Sequence, residues 1–205
     1  MSKILVNEIG HNNDTTAMTI DSGGNISEAN KEYFHVTLST RITGVTDNTV
    51  NVVNFNSNGI VRHDTKSNWD STNNAYQFDS ADGVYLITYS VGLQSPTVSS
   101  ETMVDGAASM IFSTDNFSSV VNAPAFGSGM RVLNNVGDEL GSVALSGSVI
   151  YKNTNANMKV QLRAYANTSG SATYSISEQV NQMVGSTVSD FINSDCTYFS
   201  VVRIA

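Results

Sequence analysis

The sequence predicts an all-β protein, a sandwich or jelly roll of short antiparallel strands. Stretches rich in β-branched and aromatic residues recur along the chain, and polar turns separate them at short intervals. Several stretches alternate apolar and polar residues, the pattern of strands with one buried face. Only two prolines interrupt the 205 residues. The best helix candidate, residues 180–191, carries Gly185 and β-branched residues in its middle, which disfavour a helix there.

The first 30 residues differ from the rest and form a segment of their own. Residues 4–9 (Ile-Leu-Val-Asn-Glu-Ile) and 17–20 (Ala-Met-Thr-Ile) are predicted strands, and residues 21–25 a turn. Two such short strands are only marginally stable alone in water. We therefore expect them to pack against other copies of the chain or a larger assembly. Residues 27–30 would join them to the main domain, residues 31–205.

The first half of the main domain contains three predicted strands, at residues 33–38, 49–55 and 84–91. The polar residues 56–74 are a predicted loop, and Asp-Ser-Ala-Asp-Gly at 79–83 is a predicted turn. In the third strand the side chains alternate. The residues that share one face are Tyr85, Ile87, Tyr89 and Val91.

The second half of the main domain continues the same pattern. Residues 107–112, 142–151 and 158–166 are predicted strands, with a loop at 122–129 and a turn at 153–157. The third of these strands alternates cleanly and is a half-buried antiparallel strand. Its apolar set is Met158, Val160, Leu162 and Ala164, and its polar set is Lys159, Gln161, Arg163 and Tyr165. A last strand is predicted at 197–204.

Charged residues make up only 14% of the chain, and Ser, Thr, Asn and Gly take their place. Such a surface suits carbohydrate, packed protein neighbours or an extracellular location. The net charge of −8 and ten scattered basic residues argue against nucleic acid. No apolar run is long enough to span a bilayer, and the first residues lack a signal-peptide pattern. We expect a protein made in a cytoplasm, with no membrane insertion and no export by the usual route.

No catalytic motif stands out in the sequence. Cys196 is the single cysteine, so it forms no internal disulfide, and we predict a small buried hydrophobe near the last strand. A nucleophilic role would need a histidine base brought near it by the fold, and none of the three candidates, His11, His35 and His63, sits in a recognisable motif. We therefore expect no enzyme, and neither a metal nor a cofactor.

Two further groups of residues admit two interpretations each. Asp79, Asp82 and Gly83 could suggest a calcium loop, but they offer two carboxylates without a calcium-loop spacing, so a tight turn before a strand explains them better. Trp69 lies in a polar stretch, where it could stack on a sugar ring or close the end of a sandwich. We favour the second role for Trp69.

Four strand sequences, taken together, resemble the globular head of complement C1q and its tumour-necrosis-factor-like relatives over residues 31–205. They are residues 33–38 (Tyr-Phe-His-Val-Thr-Leu), 49–55 (Thr-Val-Asn-Val-Val-Asn-Phe), 83–89 (Gly-Val-Tyr-Leu-Ile-Thr-Tyr) and 197–204 (Thr-Tyr-Phe-Ser-Val-Val-Arg-Ile). The resemblance implies a C1q/TNF-like jelly-roll β-sandwich that forms a homotrimer and serves binding.

The resemblance also implies a trimer interface in the strands of the inner sheet. The candidate interface residues are Phe34, Tyr85, Tyr89, Tyr198 and Phe199. The alternative is that all five are ordinary core residues of a monomer.

The N-terminal segment resembles the start of fibre and virion proteins of bacteriophages, cyanophages included, through residues 2–9 and 15–25. This implies a virion-attachment or trimerisation anchor, with Ile4, Val6, Ile9, Met18 and Ile20 as the attachment residues. The chain has no long shaft, which favours a short tail spike or a head decoration. The implied location is the virion surface, and the implied partners are other capsid or tail proteins and a host-surface glycan or protein. The alternative is a bacterial C1q-like module, binding carbohydrate or protein, outside any virion.

Overall fold

The chain divides into two compact units, Met1–Glu32 and Tyr33–Ala205. We consider each by itself. The computed structural model describes residues 8–10, 16–24, 26–28, 31–79, 81–94, 103–119, 126–131, 142–168, 173–178 and 195–205. Across these ranges, no helix has the length and apolar character needed to cross a membrane.

The N-terminal unit contains a three-stranded antiparallel sheet in chain order: β1 (Glu8–Gly10), β2 (Thr16–Ile20) and β3 (Ile26–Glu28). The predicted turn between β2 and β3 is confirmed, since Gly24 donates its N–H to the Asp21 carbonyl at 3.0 Å. Gly24 has φ of +81°, a conformation that glycine adopts without strain. β3 overlaps the stretch that the sequence analysis assigned to a junction, residues 27–30. The sequence did not reveal this strand because it is only three residues long and partly polar.

The second unit contains thirteen strands and one helical turn in the described ranges. In chain order they are β4 (Tyr33–Leu38), β5 (Ile42–Thr46), β6 (Asn51–Val52), α1 (Phe55–Asn58), β7 (Gly59–Asp64), β8 (Trp69–Asp70), β9 (Ala75–Gln77), β10 (Val84–Gln94), β11 (Met103–Ser113), β12 (Phe126–Arg131), β13 (Ser142–Lys152), β14 (Lys159–Thr168), β15 (Thr173–Ser177) and β16 (Tyr198–Arg203).

These strands form two antiparallel sheets. In the first sheet, β10 pairs β13 along one edge, and along the other edge it pairs first β16 and then β15. β4 and then β7 follow β16, while β5 follows β15. The second sheet has the order β12-β11-β14-β9-β8, and β6 also pairs β14. The chain changes sheet from β10 to β11, from β12 to β13, from β13 to β14 and from β14 to β15, which is the path of a jelly roll.

One hydrophobic core lies between the two sheets and takes side chains from both. The predicted alternation of β10 is confirmed, because Tyr85, Ile87, Tyr89 and Val91 are all buried. The Tyr89 hydroxyl donates to the Ala108 carbonyl of the opposite sheet at 3.0 Å. This satisfies a polar group in the core and joins the two sheets.

Three stretches differ from the sequence analysis. Residues 49–55 form only the short strand β6, because Asn54 caps α1 by accepting the Ser57 N–H at 3.2 Å. The predicted loop at 56–74 contains β7 and β8, and the predicted loop at 122–129 overlaps β12. β7 and β12 form through backbone pairing with β4 and β11, which an apolar pattern does not reveal. Residues 180–191 lie outside the described ranges.

Candidate functional site

The first sheet turns one face to the core and the other outward, and the outward face is the candidate site. Because side chains alternate, Leu86, Thr88 and Ser90 point outward from β10. We call the outward-facing residues of β4, β10, β13 and β16 the neutral face. They are Tyr33, His35, Thr37, Val84, Leu86, Thr88, Ser90, Ala144, Ser146, Ser148, Ile150, Lys152, Tyr198, Ser200 and Val202.

An apolar row crosses the neutral face. Strand register places Leu86 between Ile150 of β13 and Val202 of β16, and Val202 lies opposite Tyr33 of β4. Ile150 is 66% exposed, the highest value among the large exposed hydrophobic residues of the described chain. Exposed apolar side chains that adjoin one another on a flat sheet are typical of a surface that another protein covers.

A second row on the neutral face is polar but uncharged. Thr88 lies between Ser148 and Ser200, and its hydroxyl is 2.6 Å from that of Ser200. The two hydroxyls form a hydrogen bond with each other, so burying them under another protein would leave few polar groups without a hydrogen-bond partner. Among the outward-facing residues of these four strands that the structure describes, Lys152, at the end of β13, carries the one full charge at neutral pH. At the border of the face, Arg62 of β7 donates its Nε–H to the Thr37 hydroxyl at 3.2 Å.

The outward face of the second sheet has a different character. Lys159 forms an ion pair with Asp70 at 2.6 Å, and Arg163 lies over the Phe117 ring at 5.7 Å. A hollow of about 160 Å³ lies beside Arg163, lined by small side chains of β11 and by Val50 and Tyr165. Charged groups of this kind are favourable in contact with water, so the neutral face is the better surface for burial against a protein.

The five predicted interface residues do not share one surface. Phe34, Tyr85, Tyr89 and Phe199 are no more than 1% exposed in the single chain and pack its core. Tyr198 is half-buried on the neutral face, with its ring centroid 5.7 Å from that of His35. The neighbours that point outward from the sheet, such as Leu86, Val202 and Ile150, were not among the predicted residues. Alternation would have identified this second set, although it does not tell which set faces the core. The interface role of all five predicted residues stays a prediction.

The predicted attachment residues fall partly within the described N-terminal unit. Ile9 lies in β1, and Met18 and Ile20 lie in β2, where they are half-buried while Thr19 between them is exposed. Ile4 and Val6 lie outside the described residues. The attachment role of all five stays a prediction.

Cys196 is buried, as the sequence predicts. Its Sγ donates to the Ser177 carbonyl at 3.0 Å, and Thr197 lies beside it. Burial raises the pKa of the thiol to about 11, so the reactive thiolate is scarce at neutral pH. This environment is that of a structural thiol and not of an activated nucleophile.

We expect the Cys196 thiol to react with a disulfide reagent slowly in the folded protein and fast in urea. With a pKa of about 11, roughly one thiol in a thousand is ionised at pH 8. The measurement is the rate at which the reagent releases its coloured thiolate, followed by absorbance with and without urea. Equal rates in both conditions would show that the thiol is accessible and ionised in the fold.

The carboxylates of Asp64 and Asp115 accept hydrogen bonds from the turns in which they stand. Asp64 accepts the backbone N–H groups of Asn68 at 3.0 Å and Trp69 at 2.9 Å. Hydrogen bonds from Ser119 and Ser113 lower the pKa of Asp115 to about 2. Over the described ranges, no group of three or more His, Cys, Asp or Glu side chains is placed to hold a metal ion.

Trp69 packs against the core from β8. Its ring stacks on Phe34 with centroids 5.1 Å apart and meets Phe55 edge-on at 6.5 Å. These contacts agree with the predicted role of Trp69 in closing the end of the sandwich.

Solved structures share this fold, although their sequences differ widely from that of this chain. A tumour necrosis factor, Eiger, from S. frugiperda superposes with a TM-score of 0.55 at 9% identity, over 85% of this chain and 93% of that one. Murine APRIL gives 0.47 at 9% identity over 85% and 99%. The globular domain of zebrafish complement 1qA gives 0.42 at 12% identity over 84% and 94%. No protein-family model and no curated protein matches the chain.

The strand order and the Eiger superposition together confirm the predicted fold class. The chain folds as an all-β jelly-roll sandwich of the C1q/TNF-like type.

Proposed function

We propose that this chain is a binding protein that assembles as a homotrimer through the neutral face. The observation that carries the proposal is the apolar row of Ile150, Leu86, Val202 and Tyr33, set on a face with a single full charge. A second copy of the chain is the occupant that fits. Like charges would not oppose each other there, and the apolar row would leave water.

The contrast between the two sandwich faces supports this choice of surface. The second sheet presents the Lys159–Asp70 ion pair and a cation–π contact on its outward face, while the first sheet offers Ile150 and neutral hydroxyls. The C1q/TNF-like fold raises the expectation of a trimer by analogy. The buried, weakly acidic thiol of Cys196 supports a binding role over a catalytic one.

The test of the trimer is light scattering on the full chain at micromolar concentration. We expect a mass of three chains. A stable monomer or a dimer would overturn the proposal.

We further propose that the trimer stands on the surface of a bacteriophage virion, as a short tail spike or a head decoration. The weakly charged Ser/Thr/Asn-rich composition and the resemblance of the first residues to phage virion proteins support this. The division of the chain into two compact units fits an anchor and a knob. Electron microscopy of virions labelled with an antibody to this chain tests it, and unlabelled particles would favour the bacterial C1q-like module instead.

Deletion of residues 1–29 is expected to leave a soluble assembled knob that no longer joins the particle. The reason is that the N-terminal unit has its own three-stranded sheet and is a compact unit of its own. Light scattering measures the assembly of the knob, and sedimentation with particles measures attachment. An insoluble product would contradict the prediction by showing that the segment is part of the folding unit.

A further inference from the structure

Two histidines face each other on neighbouring strands of the first sheet. His35 of β4 and His63 of β7 are direct partners in the strand register. The register shifts beside the pair, between His35 and Val36. Like charges on residues that lie opposite each other in neighbouring strands destabilise the pairing of those strands. β7 is an edge strand, and β4 is its partner in the described sheet.

The charged groups near the pair are Arg62, Asp195 and Asp64. On β7, Arg62 adjoins His63, and its Nε donates to the Thr37 hydroxyl at 3.2 Å. Asp195, next to the last strand, is the acidic group that acts on His35. The carboxylate of Asp64 follows His63 but is held by the Asn68 and Trp69 N–H groups.

The remaining neighbours of the two imidazoles are neutral. β16 presents the Tyr198 ring, 5.7 Å from that of His35, and Ser200 in register with it. β4 presents Tyr33, whose ring is 5.2 Å from that of His63. If both imidazoles take a proton, they and Arg62 form three neighbouring cations, against the carboxylates of Asp195 and Asp64.

We propose that His35 and His63 make the pairing of the edge strand β7 with β4 sensitive to acid. This pairing is stable near pH 7 and becomes less stable below about pH 6. Neutral imidazoles lie side by side without repulsion. Two imidazolium ions directly opposite each other repel, and Arg62 adds to the repulsion. The strand that gives way is β7, because it has one strand partner and mostly exposed side chains.

The protonation of His35 also destabilises the folded state at low pH. Burial is the main cause that lowers its pKa below the ordinary value, with His63 and Arg62 contributing and Asp195 opposing. The unfolded chain then binds the proton more readily than the folded one. The stability that depends on neutral His35 is complete above about pH 6.5 and is lost as the pH falls through the lower pKa of the folded state.

The test is hydrogen exchange followed by mass spectrometry at pH 7.5 and pH 5.5. Rates are corrected for the intrinsic pH dependence, with EDTA present because adjacent imidazoles bind transition metals. In the wild-type chain we expect the β7 amides to lose about fivefold in protection relative to those of β10 on acidification. Light scattering at both pH values records the oligomeric state, so that a loss of protection caused by dissociation of an assembly is recognised as such.

Three variants make the test specific. His63→Gln, at an exposed position, is expected to abolish the acid response of β7. His11→Gln removes the histidine of the N-terminal unit and is expected to keep it. Asp195→Asn removes the anion that acts on His35 and is expected to enlarge the acid response. The proposal is overturned if the wild-type β7 keeps its protection at pH 5.5, or if His63→Gln responds to acid as the wild type does.

Discussion

Ile150→Asp is expected to convert the proposed trimer into a folded monomer. Ile150 is 66% exposed in the single chain, so an aspartate there remains in water while the protomer is alone. In the assembly the carboxylate would be buried among apolar side chains with no partner, at a cost of about 3–5 kcal/mol for each uncompensated charge. Three such buried charges, one from each copy, would cost more free energy than most protein interfaces can lose and still form. Light scattering measures the mass, and circular dichroism shows whether the protomer keeps its fold.

Val50→Asp is the matched control for this experiment. Val50 is also β-branched and 60% exposed, but it lies beside the hollow of the second sheet. We expect this variant to assemble like the wild type. If Ile150→Asp left the trimer intact, or if Val50→Asp disrupted it, the neutral face would not be the interface.

How much of the fold the sequence predicts depends on whether a strand has a buried face. β4, β10 and β14 were found because apolar residues recur at every second position, and Val160, Leu162 and Ala164 are buried as expected. β7 and β12 were missed for the opposite reason. The side chains of β7 are mostly exposed, and Gly127, Ser128 and Gly129 of β12 carry no apolar signal. β12 pairs with β11, the strand before it, and β7 pairs with β4, and neither backbone pairing can be recognised from an apolar pattern.

The candidate site shows where alternation stops being informative. The pattern separates Tyr85 and Tyr89 from Leu86, but tyrosine suits an interface as well as a core. Tertiary contacts decide between the two. The Tyr89 hydroxyl reaches the Ala108 carbonyl across the core at 3.0 Å. The Tyr85 ring lies over Gly83, where an added Cβ would come within 2.6 Å of it. Neither contact could be derived from the order of residues along one strand.

Tyr85→Asp and Leu86→Asp are expected to have different effects, although the two residues are adjacent. Tyr85 is fully buried between the sheets and contacts the Phe78 ring with centroids 4.6 Å apart. An aspartate there loses this packing and buries a charge without a partner, so we expect a loss of more than about 4 kcal/mol and an unfolded chain. Leu86 lies on the neutral face, half-buried in the protomer. Leu86→Asp is therefore expected to fold and to fail to assemble.

Thermal unfolding followed by circular dichroism separates these outcomes, with light scattering on any variant that folds. The comparison also separates the two assignments of the interface. A folded monomer from Tyr85→Asp would show that Tyr85 contacts another copy, as the resemblance to the C1q and TNF heads first implied. An unfolded product from Tyr85→Asp together with a folded monomer from Leu86→Asp would place the core on one side of β10 and the interface on the other.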